Sequence, residues 1–489
     1  MILRIFGHDF HYECENLCRV YYPNEKIEIK YDGSGDDPLT VETRLFPEDG
    51  GARAEVITSI NGSVRSASDK VTAPEDELRD KCELRIAQLM FELLSAETGY
   101  TPPWGVLTGV RPSKLMLRLT AQLGEQGAMD YFTKGLLVSP EKARLAATVA
   151  KAEEQTVASS RPNSFSLYVS IPFCPTRCSY CSFVSHSITN SNARKLLPEY
   201  LEKLSDELGE LGGIARELGL RLESVYFGGG TPGVLEAPQL DRLLCSVESS
   251  FDLSTLREYT VEIGRPDTVT PEKLRVLRIH NVGRISINPQ TFNQKTLELI
   301  GRNHTVEQAV KAYQLAKSYD FDCVNMDLIA GLPGESYEDF TASVDTAVAL
   351  SPENITVHTL ALKRSSELNA SGAGVSGGNE AKKMLDYAWK HLDGSGYSPY
   401  YMYRQSKCVG NLENVGWCRS GTEGLYNVFM MEECHTVLAA GAGGVTKLCE
   451  PGGTKVERIF NYKYPYEYIS GFDKITERKN GIKSFYLSY

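Results

Sequence analysis

From residue 165 to about residue 360, the sequence alternates regularly between short strand-like runs and longer helix-like segments. The predicted strands are 166–171, 223–228, 259–263, 283–288, 321–329 and 354–360, and the predicted helices lie near 195–218, 238–249, 271–279, 305–319 and 336–349. Such alternation indicates right-handed βαβ units and a parallel sheet. Six units predict an α/β fold of the partial (β/α)6 barrel type, in which chemistry occurs at the C-terminal ends of the strands.

The segments on either side of this alternation have a different character. Residues 1 to about 75 contain short β-branched and aromatic runs bounded by Gly, Asp and Asn, which predict strands. Residues 75–99 predict an amphipathic helix that ends at Gly99, and residues 115–160 are again helical. We therefore predict an N-terminal α+β accessory domain at 1–160, the barrel at 161–375, and a C-terminal cap or substrate region at 376–489.

Composition narrows the classes of partner and the location. The formal net charge is −11 and the chain has no block of Lys and Arg, so neither nucleic acid nor an anionic membrane is expected as a main partner. No apolar run reaches about 18 residues, so no membrane span is expected. The first residues lack the pattern of a signal peptide, and with 12 cysteines this indicates a reducing, cytoplasmic location. His280 and His304 are expected at the surface or at helix caps.

Three cysteines are clustered directly after the first predicted strand, in the segment YVSIPFCPTRCSYCSF at 168–183. Cys174, Cys178 and Cys181 have the spacing C-x3-C-x2-C, which 12 cysteines in 489 residues would produce by chance roughly 0.007 times. Three thiolates on a short loop suit an iron–sulfur cluster, and the missing fourth ligand is typical of a catalytic site. A small zinc site is the alternative, although no second Cys/His pair has finger-like spacing.

Further motifs follow the other predicted strands. Strand two runs into GGGTP at 228–232, where three glycines allow a backbone to approach a ligand closely. Glu262 closes strand three, Gln290 follows strand four, and Arg302 lies twelve residues further on. Asp327 lies in an otherwise apolar strand, and a buried carboxylate without a partner costs several kcal/mol. We therefore predict a specific partner for Asp327.

These motifs together resemble the radical S-adenosylmethionine (SAM) superfamily. The cysteine loop, VYFGGGTP, VEI, RISINPQTFN, NMDLIAGLPGE and TLAL are further similar to the oxygen-independent coproporphyrinogen III oxidase group, the HemN-like branch, over about residues 166–365. The long N-terminal region, the loop TPPWGVLTGVRPSKL, the form RISINPQ, and YMYRQ followed by GNLENVGW resemble the HemZ subgroup, the coproporphyrinogen dehydrogenases.

The resemblance implies the cofactors and their contacts. In this superfamily three cysteines hold three irons of a [4Fe–4S] cluster, and the fourth iron takes the amino and carboxylate groups of SAM. An electron from the cluster splits SAM into methionine and a 5′-deoxyadenosyl radical. Cys174, Cys178 and Cys181 are then the metal ligands. The positions that match SAM contacts, some of which serve a second SAM in the oxidase, are Tyr168, Tyr180, Gly229, Gly230, Thr231, Glu262, Gln290, Arg302, Asp327 and Ala361.

The resemblance also implies a substrate and a reaction. Two propionates of coproporphyrinogen III are oxidatively decarboxylated to the vinyl groups of protoporphyrinogen IX, each with one SAM, and a low-potential donor such as flavodoxin or ferredoxin supplies electrons. Candidate anchors for the propionates, by position, are Lys363, Arg364 and Arg404. Residues 396–450 are expected to cap the barrel. Their aromatic side chains either pack against a tetrapyrrole or form an ordinary core; they are Tyr400, Tyr401, Tyr403 and Trp417.

Two positions depart from the HemN-like pattern. Phe183 stands where the best-defined oxidases have a fourth cysteine, which leaves the oxidase activity open. A related branch, the HemW group, has Phe at the position of Phe183 and resembles haem chaperones. That group also has a His-Asn-x-x-Tyr-Trp motif. The corresponding segment here begins Tyr426-Asn427, so the proposed haem-ligating histidine is absent, and His435 is out of register. Decarboxylation is the favoured function, and haem-chaperone-like binding or action on another tetrapyrrole are the alternatives.

Overall fold

The structure is a computed structural model that describes residues 1–362, 377–405 and 407–489. Its strands are β1 (Ile2–Phe6), β2 (Glu28–Lys30), β3 (Leu39–Glu48), β4 (Gly51–Ile60), β5 (Ser63–Val71), β6 (Ser164–Ile171), β7 (Phe173–Cys174), β8 (His186–Ser187), β9 (Arg221–Gly229), β10 (Glu258–Gly264), β11 (Arg284–Ile287), β12 (Cys323–Ala330), β13 (Asn354–Thr359), β14 (Ser398–Arg404), β15 (Glu413–Cys418), β16 (Thr436–Ala440), β17 (Val445–Cys449) and β18 (Val456–Phe460).

The described helices are α1 (His11–Tyr21), α2 (Glu75–Thr98), α3 (Pro112–Asp130), α4 (Pro140–Val157), α5 (Ser191–Glu217), α6 (Ala237–Ser250), α7 (Pro271–Ile279), α8 (Gln294–Leu299), α9 (Val306–Lys317), α10 (Tyr337–Leu350), α11 (Gly378–Gly394), α12 (Leu425–Glu432), α13 (Pro465–Ser470) and α14 (Phe472–Tyr486). Among the helices of the described ranges, none is long and apolar enough to cross a membrane.

The described residues form two compact units. The first comprises Met1–Ala150, Gly377–Lys383 and Met402–Glu413, and the second contains the rest of the described chain. The first unit is built on a five-stranded sheet in the order β2-β1-β3-β4-β5. β1 is parallel to β2 and β3, whereas β3, β4 and β5 are antiparallel. The α+β content predicted for the N-terminal region is therefore present, with α2 packed on this sheet.

The sequence pattern does not predict two elements of the first unit. Residues 11–21 form α1 rather than part of a strand. The buried residues of α1 recur at helical spacing, and they are Cys14, Leu17, Cys18 and Tyr21. β5 is polar and mostly exposed at the edge of the sheet, so it lacks the alternation that marks a half-buried strand.

Arg404 belongs to the first unit and is not the propionate anchor that its position suggests. Arg404 is 3% exposed. The guanidinium donates to Leu107 O at 2.6 Å and to Asn411 O at 3.0 Å. It also lies over the indole of Trp104, 5.4 Å from the ring centroid. Because these contacts occupy the guanidinium in the interior, Arg404 stabilises this unit.

The second unit contains the predicted barrel. Its 11-stranded sheet has the order β14-β15-β13-β12-β11-β10-β9-β6-β16-β17-β18. The six central strands, β6 and β9–β13, are the six that the alternation predicts. Neighbours among these six strands are parallel to each other, and their order in the sheet follows the chain. The partial (β/α)6 barrel is thus confirmed, and α5, α6, α7, α9 and α10 lie in its connections.

The register of these strands separates polar from apolar side chains. One row of cross-strand neighbours on β6, β9 and β10 consists of Tyr168, Tyr226 and Thr260. The next row, on β10, β11 and β12, consists of Glu262, Ser286 and Asn325. The residues that alternate with them are apolar and buried, and they include Val225, Phe227, Val261, Ile285 and Val324. Because successive side chains of a strand point to opposite faces, the apolar face packs against the helices and the polar face lines the barrel interior.

The C-terminal region adds strands to both edges of the barrel sheet. β16 is parallel to β6, in a register that runs from Thr436 opposite Phe165 to Ala440 opposite Val169. β17 and β18 continue outward from β16, and β15 is antiparallel to β13. Residues from 414 onward therefore belong to the same unit as the barrel. A role of residues 376–489 as a cap over substrate stays a prediction.

His280 and His304 are buried, so neither lies at the surface, but His280 is the C-cap residue of α7 and thus does lie at a helix cap, the other place expected for it. His280 is 6% exposed and His304 is 0% exposed. Burial lowers the pKa of His304 to about 3, so this imidazole is neutral. Both histidines lie outside the periodic apolar segments, in the turns that follow α7 and α8, and their burial therefore depends on tertiary packing.

A buried charged network holds the glycine-rich turn between β16 and β17. Glu207 on α5 and Lys479 on α14 are 0% exposed, and their charged atoms are 3.1 Å apart. Glu207 also accepts a hydrogen bond from Gly441 N–H at 2.8 Å. In the same turn, Ala442 O accepts one from Ser170 Oγ at 2.8 Å. The network thus fixes the turn against the end of β6, which leads into the cysteine loop.

Glu207→Gln should lower the free energy of unfolding by about 3–5 kcal/mol, because it leaves the Lys479 ammonium buried without its countercharge. Glu217→Gln is the matched control: Glu217 pairs with Lys483 across the same two helices, but that pair is solvent-exposed and should contribute less than about 1 kcal/mol. Urea unfolding followed by circular dichroism measures both changes. Two equally small losses would contradict a stabilising role for the network.

Candidate active site

The cysteine loop and the glycine-rich segment are joined by their backbones. Gly230 N–H donates to Ile171 O at 2.9 Å, and Thr231 N–H donates to Phe173 O at 2.8 Å. The Thr231 hydroxyl donates to Cys174 Sγ at 3.4 Å. Parallel pairing of β6 with β9 brings their C-terminal ends to the same edge, as the barrel rule predicts. Two motifs more than 50 residues apart in sequence thereby form one structure.

Glycine is required where these backbones cross. A Cβ added at Gly230 would lie 2.6 Å from Phe173 O and 2.7 Å from Ile171 O. Gly229 has φ +101°, and its Cβ would lie 2.9 Å from Ser170 Oγ. Any side chain here would separate the glycine-rich segment from the cysteine loop. The run of glycines is therefore explained by close approach as well as by turn geometry.

The three cysteines are grouped but do not converge on a single point. Within the described ranges, one trio of Cys, His, Asp or Glu ligand atoms lies mutually within 4.8 Å, and it does not include these cysteines. Sulfurs that share one zinc ion lie closer together than this, whereas those of an iron–sulfur cluster bind different irons. Burial raises the pKa of the Cys174 thiol, and raises that of Cys181 to about 11, with the neighbouring cysteines adding to both shifts. A separation above 4.8 Å for at least one pair of these sulfurs is compatible with a multi-iron cluster.

Two arginines supply positive charge beside Cys178. Arg265 Nη1 lies 3.5 Å from Cys178 Sγ, and its Nη2 donates to Thr176 Oγ1 at 3.1 Å. Arg302 is also buried and interacts with both Cys178 and Tyr180; its Nη2 is 3.4 Å from the Tyr180 hydroxyl. Both guanidinium groups therefore place positive charge next to the cysteine loop. Our sequence analysis singled out Arg302 but missed Arg265, which directly follows β10.

Glu262 and Asp327 face each other across the polar interior. The pKa of Glu262 is raised to about 7, chiefly by burial and in part by the negative charge of Asp327, while the Tyr226 hydroxyl, which donates to Glu262, opposes the shift. Asp327 behaves in the opposite way: burial acts against ionisation, but His358 and Asn325 outweigh it and hold its pKa below the ordinary range. Asp327 Oδ2 lies 3.8 Å from His358 Nε2. The predicted partner of the buried aspartate is therefore present.

Gln290 and Arg302 lie where the loop after β11 returns to the barrel. Gln290 has φ +71°, an unusual backbone for a residue with a side chain, and is held there by hydrogen bonds with Asp327 O and Ile329 N–H, both 2.9 Å. Arg302 Nε and Asn288 Oδ1 are buried and have no hydrogen-bond partner among the described residues. Buried polar atoms of this kind need a partner. A polar ligand in the interior fits that requirement.

Three tyrosines stack in the interior beside Glu262. Tyr226 and Tyr426 have ring centroids 4.4 Å apart, and Tyr168 lies 6.3 Å and 6.2 Å from them. The rings are near parallel. Burial raises the pKa of all three phenols, so each remains a hydrogen-bond donor at neutral pH. Sequence reasoning identified Tyr168 but not the stacking partners; the alternation within β9 is the signal that places Tyr226 inward.

The remaining predicted residues divide into three groups. Ala361 follows β13 at the same sheet edge as the other strand ends. Lys363 and Arg364 lie outside the described residues. Of the four aromatic residues considered for tetrapyrrole packing, Tyr400, Tyr401 and Trp417 are buried, which supports the ordinary-core interpretation for these three, whereas Tyr403 is half-buried.

Comparison with known proteins gives the family. A model of the Radical SAM superfamily matches residues 168–347. The chain is 35% identical over 492 residues to the oxygen-independent coproporphyrinogen-III oxidase-like protein HemZ of Bacillus subtilis (strain 168), covering 98% of this chain and 97% of that protein. The solved structure of Escherichia coli coproporphyrinogen III oxidase (HemN), a radical SAM enzyme, matches with a TM-score of 0.52 at 22% identity, over 67% of this chain and 73% of that one.

A second group of relatives matches over a shorter length. The heme chaperone HemW of Lactococcus lactis subsp. lactis (strain IL1403) is 36% identical over 203 residues, which is 42% of this chain and 50% of that protein. The full-length match to HemZ, the superfamily match and the barrel agree with one another. The chain belongs to the radical SAM superfamily and, within it, to the HemN-like family.

The cofactors are accordingly a [4Fe–4S] cluster and SAM. The donor set fits them: three thiols lie on one loop, two arginines lie beside Cys178, and the interior beyond is polar with unpartnered buried atoms among the described residues. We propose Cys174, Cys178 and Cys181 as the cluster ligands. The assignment of individual residues to SAM is likewise a proposal.

Cys174→Ala should abolish the cluster, because two thiolates do not hold a [4Fe–4S] group stably. Phe183→Cys should leave it intact, since the Phe183 side chain is 67% exposed. Cys82→Ala, in a helix of the other unit, is the control. Iron analysis and the visible absorbance of anaerobically reconstituted protein measure all three. Four irons per chain in Cys174→Ala would contradict the ligand assignment.

Glu262 should titrate near pH 7 in the folded protein. The folded state then keeps a proton that the unfolded chain loses above about pH 4.5, so this group makes the free energy of unfolding fall as pH rises from about 4.5 to 7. An infrared carboxylic-acid band that Glu262→Gln removes would report the titration. Asp327→Asn should lower the pH at the midpoint of the Glu262 titration, because it removes a neighbouring negative charge. A midpoint near the ordinary value in the wild-type protein would contradict the prediction.

Proposed function

We propose that the protein catalyses the oxidative decarboxylation of coproporphyrinogen III to protoporphyrinogen IX. The observation that carries this proposal is the 35% identity to HemZ along almost the whole of both chains. It includes the N-terminal region and the strands after residue 414, whereas the HemW relative is matched over half its length. The resemblance to an oxidase-like protein thus extends beyond the barrel that all these proteins share.

The reaction needs a site that generates and confines a radical. If bound, the cluster and SAM would supply the chemistry that removes a hydrogen atom from the β-carbon of a propionate. Conversion of that propionate to a vinyl group would then release CO2 and pass one electron to a separate one-electron acceptor. Two such events convert two propionates and consume two SAM. The protein's part is to bind, orient and exclude water.

We assign the binding of SAM to residues around the polar interior. Gly229, Gly230 and Thr231 lie beside the cysteine loop, and we assign them to the methionine end of SAM. Glu262 and Asp327 offer carboxylate oxygens for ribose hydroxyls or cationic groups. The low pKa of Asp327 keeps it an acceptor at neutral pH, while Glu262 can hold a proton.

The tyrosine stack suits a site that must exclude water. Tyr168, Tyr226 and Tyr426 present flat apolar faces with protonated hydroxyls at their edges. Tyr426 comes from α12 and inserts among residues of β6 and β9, so it ties the C-terminal region to the barrel interior. Its contribution supports a role for this region in the same site.

The structure gives a reason why Phe183 is compatible with activity. The backbone N–H of Phe183 donates to the Cys181 thiol, and this hydrogen bond does not depend on the side chain at 183. The phenyl ring projects outward and is 67% exposed. A cysteine at this place would add a thiol on the exposed side of the loop. Its absence therefore removes no contact that holds the cluster ligands.

Haem binding of the HemW type is the second candidate and has weaker support. The position of the proposed haem-ligating histidine is Tyr426, whose raised pKa disfavours the phenolate that binds ferric iron. His435 is 3% exposed, and its two ring nitrogens contact Ser160 Oγ and Ser166 Oγ at 2.8 Å each. Burial lowers the pKa of His435 to about 3. Neither residue is available as an axial ligand in this arrangement.

The anaerobic, reconstituted protein should convert coproporphyrinogen III when given SAM and a low-potential reductant. Mass spectrometry should show loss of two CO2 per product and two molecules of 5′-deoxyadenosine, because each propionate needs its own radical. Cys174→Ala should give neither product. Phe183→Cys should match the wild-type turnover.

Two other outcomes would overturn the proposal. Release of 5′-deoxyadenosine without a change in the porphyrinogen would mean that the substrate is a different molecule. Cluster and SAM binding without any turnover, together with tight one-to-one binding of hemin and a Soret shift, would favour haem handling.

A further inference from the structure

A second group of metal-ligand side chains lies on the outer, helical layer of the barrel. Asp241 and Cys245 are one turn apart on α6, and His280 directly follows α7. The ligand atoms of these three residues lie within 4.8 Å of one another. It is the one such trio among the described residues. It shares no residue with the cysteine loop.

The orientation of His280 is what a metal-binding imidazole requires. His280 is 6% exposed, so its ring is fixed by packing. Nε2 lies 3.0 Å from Asp241 Oδ1, and Nδ1 lies 2.8 Å from Glu248 Oε1. Metal-binding histidines usually donate the second ring N–H to a carboxylate, which sets the tautomer and turns the other nitrogen toward the ion. Glu248, one turn beyond Cys245, occupies that supporting position.

The three donors match zinc. A thiolate, an imidazole and a carboxylate are the ligand types that Zn²⁺ takes, whereas Mg²⁺ and Ca²⁺ prefer oxygen alone. In a tetrahedral site with Zn–S of about 2.3 Å and Zn–N of about 2.0 Å, donor atoms are about 3.5 Å apart. Asp241 is 51% exposed and Cys245 is exposed, so both side chains can close the remaining distance without disturbing the core.

We propose that Asp241, Cys245 and His280 bind one Zn²⁺, with Glu248 orienting His280 and with water in the fourth position. The ion would replace a proton between His280 Nε2 and Asp241 and would take the Cys245 thiolate. It would join α6 to α7. α6 follows β9, which ends in the glycine-rich segment, and α7 follows β10, which contains Glu262. The zinc site would therefore stabilise the helical layer behind that part of the barrel.

The test is zinc binding to the protein with its iron–sulfur cluster in place. Reconstituted protein should retain one Zn²⁺ per chain after incubation with Zn²⁺ and gel filtration, measured by mass spectrometry of the elements. Zinc K-edge X-ray absorption should show one sulfur neighbour. Cys245→Ala should lose that sulfur and weaken zinc binding at least tenfold in a chelator competition. Cys434→Ala, a partly exposed cysteine elsewhere in the same unit, is the matched control.

Two further variants separate a ligand site from an ordinary ion pair. Glu248→Gln should weaken zinc binding by about 10- to 100-fold while leaving the sulfur neighbour, as expected for a residue that orients a ligand. Cys245→Ala should keep four irons and full SAM cleavage, because the site is separate from the cluster. Zinc content and sulfur coordination equal to wild type in Cys245→Ala would overturn the proposal, and so would a wild-type protein that retains no zinc.

Discussion

The active site depends on two backbone hydrogen bonds, those from Gly230 to Ile171 and from Thr231 to Phe173. They exist only because no side chain intervenes between the glycine-rich segment and the start of the cysteine loop. The loop that carries the three cysteines is long, and without such bonds the thiols would be less firmly positioned. The two bonds convert it into an extension of the parallel sheet. These two hydrogen bonds therefore help to set the positions of the other groups of the site.

The barrel interior follows from strand alternation. Each central strand presents apolar side chains to the helices and polar side chains to the inside, so the same strands that form the core also build a polar cavity wall. Burial then sets the chemistry of that wall. Glu262 and Asp327 are both carboxylates, yet burial raises the pKa of Glu262, with the charge of Asp327 adding to the shift, whereas hydrogen bonds and the charge of His358 outweigh burial at Asp327 and lower its pKa.

The C-terminal region contributes structure as well as surface. β16 extends the barrel sheet, and the turn that follows it is held by Glu207 and Lys479 against the end of β6. α12 supplies Tyr426 to the interior. An ion pair with no exposure to water is costly unless it is satisfied, and its satisfaction here requires residues from α5, the turn and α14 together. This region therefore cannot be removed without loosening the strand that leads to the cysteines.

The sequence by itself determined the six strands, the barrel class, and the residues at the strand ends, because hydrophobic periodicity and glycine or cysteine spacing are local properties. It did not predict α1, which lies among strand-like runs, nor the burial of His280 and His304. Arg265 and Tyr426 were also missed as site residues. Only the tertiary structure decided these points: burial, the pairing of a histidine with two carboxylates, and the approach of an arginine to a thiol all depend on which distant segments pack together, and that information is not carried by any single stretch of chain.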